Sequence, residues 1–225
     1  MARKKIVFVI VEGPSDEEAL GIIISRLYDR NVVFVQIMHG DITSEEGVKS
    51  SNVIAKLGDV IKSYASDNHY IKSDFKEIIH IADMDGAYVS KEYVIKDEYP
   101  KALYDAEYIR TANPKGIIRR NSQKSAVLNK LCTTPKVWTI PYRIFYMSCN
   151  LDHVLHNRPN CSDEEKEKNS YLFAKQYKDN ISGFLSFIRE SEFSVMCAYS
   201  ESWEFIKQER NSLIRHTNLG LHFND

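Results

Sequence analysis

Residues 6–11 form an unbroken apolar run, mostly β-branched, with the length and composition of a strand buried on both faces. The run stops at a carboxylate, Glu12, and Gly13-Pro14 then punctuates a tight turn. Ser15 followed by Glu18 has the pattern of a capping box, and the apolar positions from Ala19 to Leu27 continue as a helix. The alternation then repeats. Residues 32–38 read as a second buried strand, 39–47 as a polar loop, and Val53, Leu57, Val60 and Ile61 lie at helical spacing. Residues 77–82 read as a third strand that ends, like the first, on acid: Asp83-Met84-Asp85-Gly86. A β-α-β-α-β order predicts right-handed crossovers and an α/β fold with a mostly parallel, Rossmann-like sheet flanked by helices. It also places Glu12 and Asp83/Asp85 at one edge of that sheet, the edge where open α/β sheets bind ligands.

From 87 to about 115 the pattern weakens into a tyrosine- and charge-rich insertion. Residues 125–131 look helical, 142–147 alternate as a fourth strand, and 151–156 start a short helix. Helical periodicity returns at about 162–178, 181–190 and 201–214. The expected organisation is a catalytic-type α/β domain over 1–156 and a helical C-terminal extension or cap over 157–225.

Composition changes this picture in two places. With 43% hydrophobic and 27% charged residues the chain can bury a sizeable core, and a net charge of −1 favours no polyanionic partner overall. Locally the charge is segregated: 108–151 holds no Asp or Glu but contains Arg110, Lys115, Arg119, Arg120, Lys124, Lys130, Lys136 and Arg143. Such a face fits backbone phosphates of a nucleic acid, and Arg110, Lys115, Arg119, Arg120, Lys124 and Arg143 are its candidate contacts. Cys132, Cys149, Cys161 and Cys197 have no zinc-type spacing and read as reduced thiols. The Met-Ala-Arg-Lys-Lys start has no signal-peptide pattern and no apolar run is long enough to span a bilayer, so a cytoplasmic protein away from membranes is expected.

The apolar strand ending in Val11-Glu12-Gly13, the Asp16 four residues on, and Ile81-Ala82-Asp83-Met84-Asp85-Gly86 together resemble the Toprim domain. This is the catalytic unit of topoisomerases, bacterial-type primases and several nucleases, among them small stand-alone forms and the overcoming-lysogenization-defect family. The resemblance covers roughly residues 5–86, with a fainter echo at Asp152. It implies that Asp83 and Asp85 bind Mg²⁺ or Mn²⁺, with Glu12 as a further ligand or the general acid/base. Asp16 and Asp152 would complete the metal set, although a glutamate is usual at the latter position. Lys124 would stabilise the transition state beside the metal. Hard oxygen ligands suit these ions, and phosphoryl transfer mainly requires positioning and charge neutralisation.

Within that family a topoisomerase needs a further domain with a nucleophilic tyrosine, and a replicative primase adds a zinc domain that the cysteine spacing excludes. The expectation is therefore a metal-dependent nuclease acting on DNA or RNA, of a kind found in anti-phage defence. The chain has no GxxxxGK[ST] phosphate loop, so an ATPase, if the system has one, would be a separate partner protein; a homo-oligomer is also compatible. The alternative is a non-catalytic Toprim-like module that binds nucleic acid or a nucleotide within a larger assembly. His153 and His156, at helical i,i+3 spacing, lack a third ligand and read as ordinary packed or surface residues.

Overall fold

The computed structural model describes residues 4–223. The order of the main elements is β1 (Lys5–Val11), α1 (Pro14–Leu27), β2 (Val33–His39), α2 (Val53–Asp67) and β3 (Phe75–Asp83). Three short strands follow, β4 (Val94–Lys96), β5 (Leu103–Tyr104) and β6 (Ile109–Thr111). Then come α3 (Pro114–Cys132), β7 (Lys136–Val137), β8 (Ile140–Met147), α4 (Leu151–His156), α5 (Asp163–Tyr177), α6 (Ile181–Glu190) and α7 (Tyr199–Ile206). The fold is α/β, as the periodicity predicts: a five-stranded sheet in the order β2-β1-β3-β8-β7, parallel except for β7.

Why the first run must be a central strand is visible in its neighbours. Val7, Val9 and Val11 pack with α1, α5 and α6, while Ile6, Phe8 and Ile10 pack with α2 and α3. Both faces are covered, so a continuous apolar run is the only pattern that satisfies them. Burying a Val, Leu, Ile or Phe side chain contributes about 1.5–3 kcal/mol, and β1 commits six such residues. The C-terminal stretch read as an extension or cap covers both sheet faces. Phe173, Phe184 and Ile188 join the core over α1, and Trp203 and Ile206 join the opposite core.

Other expectations shift. The helix expected over 201–214 stops at Ile206, because Gln208-Glu209-Arg210-Asn211 offers polar turn formers: Glu209 sits at φ 45° and Asn211 Nδ2 donates to the Phe205 carbonyl at 2.8 Å. The insertion holds a three-stranded sheet, β4-β6-β5, whose strands of two or three residues are too short to show alternation. The basic helix begins at Pro114, eleven residues before the expected start at 125, because Asn113 caps it by accepting from Gly116 N–H at 3.0 Å. The box expected on Ser15 and Glu18 is displaced: α1 starts at Pro14, and Asp16 Oδ2 accepts from the Gly13 N–H at 2.9 Å. Glu18 instead accepts from Ser170 Oγ at 2.8 Å, tying α1 to α5. The expectation for residues 1–3, no signal segment, lies outside the described residues. No helix among the described residues is long and apolar enough to cross a membrane.

Candidate active site

The chain leaves β1 toward β2 on one side and reaches β3 and β8 on the other, so the strand order reverses between β1 and β3. That reversal opens a crevice at the carboxyl ends of the two strands, and in open α/β sheets ligands bind there. Glu12 is the first residue after β1 and Asp83 the last of β3. The two are joined across the switch point: the Asp83 N–H donates to Glu12 Oε1 at 3.0 Å.

The turn after β3 then aims Asp85 back over the crevice. Asp85 and Gly86 both take positive φ, 48° and 69°. Asp85 is anchored by its N–H, which donates to the Cys149 carbonyl at 2.7 Å. Its carbonyl accepts from Arg120 at 2.7 Å, and the Gly86 carbonyl accepts from Asn121 at 2.9 Å. A side chain at 86 would meet Ile109 at 2.7 Å, so glycine is required for space as well as for conformation.

Lys124, on α3, occupies the centre. Its ammonium donates to Asp85 Oδ2 at 2.6 Å and to Glu12 Oε1 at 3.3 Å, and its side chain is 0% exposed. Thr43 Oγ1 stands 3.2 Å from Glu12 Oε1 and 2.8 Å from Asp41 Oδ1 and can donate to either. Asp41, Thr43 and Asn121 were not picked out from sequence. Asp41 lies two residues past the end of β2, and the strand-end reasoning applied to Glu12 and Asp83 would have found it.

Charge is oversupplied here. Burial raises the Glu12 pKa to about 8, with Asp41, Asp85 and Asp16 adding to the rise and Lys124 opposing it. Asp16 is raised to about 6, mainly by burial. Asp83 is pushed well above the usual carboxylate range by burial and then by Glu12, Asp16 and Asp85. Asp85 goes the other way: burial acts to raise it, but Lys124 and Arg120 outweigh that and hold it low. Lys124 stays charged above its ordinary value despite burial, because Asp85, Glu12 and Asp41 surround it. The mechanism is the ordinary one: like charges crowded in a low dielectric favour protonation of some members.

As hosts for a divalent cation these groups fit in kind, being hard oxygen donors with carboxylates in excess of cations. They do not stand as a preformed cage, and among the described residues no three His, Cys, Asp or Glu side chains gather closely enough to hold a metal ion. Lys124 draws Glu12 and Asp85 together, while Asp16 turns to cap Gly13. Asp152, in the first turn of α4, is electrostatically coupled to Asp16.

The basic candidates disperse. Lys115 and Arg119 are exposed on α3. Arg120 points inward, donating to the Tyr104 hydroxyl at 2.9 Å as well as to the Asp85 carbonyl. Arg110 is paired with Asp97 and Asp105 on the small sheet. Arg143 lies four residues before Met147, the partner of Asp83, hence ~13 Å back along β8 at the usual strand rise. It faces a groove of about 840 Å³ at the opposite end of the sheet, lined also by Tyr28, Lys76, Glu77 and Tyr199. That groove does not coincide with the carboxylates. His153 is buried and His156 sits edge-on to Phe173, both as packing residues.

Comparison with protein-family models, with curated proteins and with solved structures finds no match.

Proposed function

We propose that the carboxyl-end crevice is the active centre of a metal-dependent phosphodiesterase acting on nucleic acid. The observation that carries this reading is the set of half-buried carboxylates at the topological switch point, Glu12, Asp16 and Asp83, of which Lys124 contacts only Glu12. A protein that needed only a stable core would be better served by apolar residues there, since buried charge is a stability burden. The resemblance of these positions to the Toprim motif supports the same reading, on the residues alone.

Glu12, Asp16 and Asp83 do not stand as a ready cage and would have to be drawn together around Mg²⁺ or Mn²⁺. When bound, the cation supplies neutralisation of the phosphoryl charge and activation of water. The protein's own groups do the rest. Lys124, buried behind the crevice, holds Glu12 and Asp85 in place and offsets part of their negative charge. Arg120 fixes the Asp85 turn, and the exposed Lys115 and Arg119 of α3 receive flanking phosphates. In the hydrolysis a water oxygen bonds to phosphorus, the ester P–O bond breaks, and the water's proton ends on the leaving oxygen.

The test is cleavage of plasmid DNA, single-stranded DNA and structured RNA with Mg²⁺, Mn²⁺ or EDTA. Asp83→Ala and Glu12→Ala, purified identically, control for contaminating nuclease. Metal-dependent cutting that both variants lose, with unchanged circular dichroism, is expected. Cutting retained by either variant overturns the assignment. A salt-dependent gel shift without cutting on any substrate would instead favour a binding module, the reading that the near-complete engagement of Lys124 also accommodates.

A further inference from the structure

The two edges of the five-stranded sheet are finished differently. At one edge β7 is two residues long and carries Lys136, a short, charged ending of the kind that discourages further pairing. At the other edge β2 runs seven residues, and 32–38 hold no Asp, Glu, Lys, Arg or Pro. Val32 and Phe34 are 57% and 46% exposed there. With an unbroken register against β1, this strand has none of the devices that keep an open edge single.

The ladder shows which backbone groups of β2 point away from the sheet. The Val32 carbonyl accepts from the Lys5 N–H, and the Gly40 N–H donates to the Val11 carbonyl. Even-numbered residues therefore turn their N–H and C=O toward β1, and odd-numbered ones turn theirs outward. Two of the outward groups are already taken. The Val33 N–H donates to the Asp29 carbonyl at 2.9 Å, and the Ile37 carbonyl accepts from Gln36 Nε2 at 2.8 Å. The Val33 carbonyl, the Ile37 N–H and both groups of Val35 have no partner among the described residues.

We infer that β2 is a homodimer interface, on which a second copy of this chain lays its own β2 antiparallel about a two-fold axis at Val35. The two five-stranded sheets then become one of ten strands. The free groups set the register. With Val35 opposite Val35, each Val35 N–H donates to the other's carbonyl, and Val33 of one copy stands opposite Ile37 of its partner. Each Ile37 N–H then donates to a Val33 carbonyl, so four bonds consume every unpartnered group. The Val33 N–H and Ile37 carbonyl face each other in this register and keep the partners they already have. Centring the axis on Gln36 would instead aim the Val35 N–H at the occupied Ile37 carbonyl. Charge agrees with the antiparallel sense. Lys4 and Arg30 outnumber Asp29 at the amino end of β2, while Glu17 and Asp41 stand beside His39 at its carboxyl end. The two carboxyl-end crevices would point in opposite directions, so neither copy completes the other's site, and the inference stands apart from the metal-dependent reading.

The experiment is sedimentation equilibrium of the full chain across micromolar concentrations. The wild type is expected at twice the mass of one chain, dissociating on dilution. Val35→Pro removes an N–H that faces away from β1, a place where an edge strand tolerates proline. It deletes two of the four bonds and should weaken the dimer about tenfold or more. Phe34→Lys, which sets a charge on the apolar edge, should act in the same direction. Leu172→Lys, at a position of α5 that is 48% exposed, should leave the dimer as tight as in the wild type. A wild type that stays monomeric overturns the inference, as does a dimer that both edge variants keep or that Leu172→Lys loosens equally. Assemblies that grow beyond two chains overturn the two-fold closure. Circular dichroism checks the fold of each variant, and Phe34→Lys decides the matter even if Val35→Pro fails to fold.

Discussion

The two ends of the central sheet are built on opposite plans. At the amino ends of β3 and β8 lies the roomy groove, about 840 Å³, in which the polar groups stay near water: Lys76 rides over the Tyr28 ring at 5.0 Å and Arg143 over Tyr199 at 5.9 Å. At the carboxyl ends of β1 and β3, ionisable groups crowd against one another behind α3. Volume alone would select the amino end as a binding site. Strained electrostatics selects the other, because perturbed carboxylates in a sheet crevice have a use only if a cation or a proton answers them. The difference teaches that concavity and chemistry are separate signals, and here they separate by the length of a strand.

The sharpest way to break this comparison is activity. Replacing Asp83 or Glu12 should abolish metal-dependent cleavage, a loss of about a thousandfold or more for removal of an essential group. Glu77→Gln and Arg143→Ala, at the amino end, should leave the rate within a factor of ~3. Equal losses at both ends would mean that the substrate spans the sheet.

Next in size is stability. Lys124→Met leaves Glu12 and Asp85 without their cation and should cost about 3 kcal/mol in urea unfolding, as for other buried pairs broken on one side. Breaking the Lys207–Glu204 pair, which joins the half-buried C-cap of α7 to an exposed residue of its last turn, should cost less than about 1 kcal/mol. Comparable costs would show that the crevice is wetter than its geometry says.

A third contrast is in pH. His80 lies in the middle of β3, 0% exposed, with its Nδ1 at 2.9 Å from the Tyr142 hydroxyl, and burial lowers its pKa from 6.5 to about 4. The unfolded chain therefore binds a proton between pH 6.5 and 4 that the folded chain refuses. Stability from this group is complete above about pH 6.5 and lost as pH falls toward 4, by up to about 3 kcal/mol. Unfolding free energy measured across that window should slope less in His80→Gln than in the wild type. An unchanged slope would assign the acid sensitivity elsewhere.

The smallest effects belong to phosphate contacts. Lys115→Ala and Arg119→Ala should each weaken nucleic-acid binding severalfold and lower the salt slope by about one. Arg143→Ala should change neither.

How far the chain's letters reach is clear from these same residues. Glu12 and Asp83 were legible because an apolar strand cannot end on acid by packing logic, and the strand order then brought them to the switch point. Lys124 was named from the acid-free window as a group facing phosphate, whereas it is buried among carboxylates. The signal was present: Lys124 shares one helical stripe with Val127, Leu128 and Leu131, all buried, so its side chain had to point inward. The inward turn of Arg120 had no such mark, since its partners, the Tyr104 hydroxyl and the Asp85 carbonyl, come from segments distant in sequence. The small sheet escaped for a simpler reason, its strands of two or three residues being too short for the two-residue alternation to repeat.

The bond between Glu12 and Lys124 joins residues 112 positions apart. During synthesis the chain emerges from its amino end at ~5–20 residues per second, so the glutamate waits several seconds before its counter-ion exists outside the ribosome. Through that interval β1 can pair with β2 and β3, but β8, which completes the centre of the sheet, follows Lys124 in order. A nascent chain thus carries the acids without the lysine that holds them in register. Whatever chemistry the crevice performs is withheld from the growing polypeptide and becomes available only once α3 has docked.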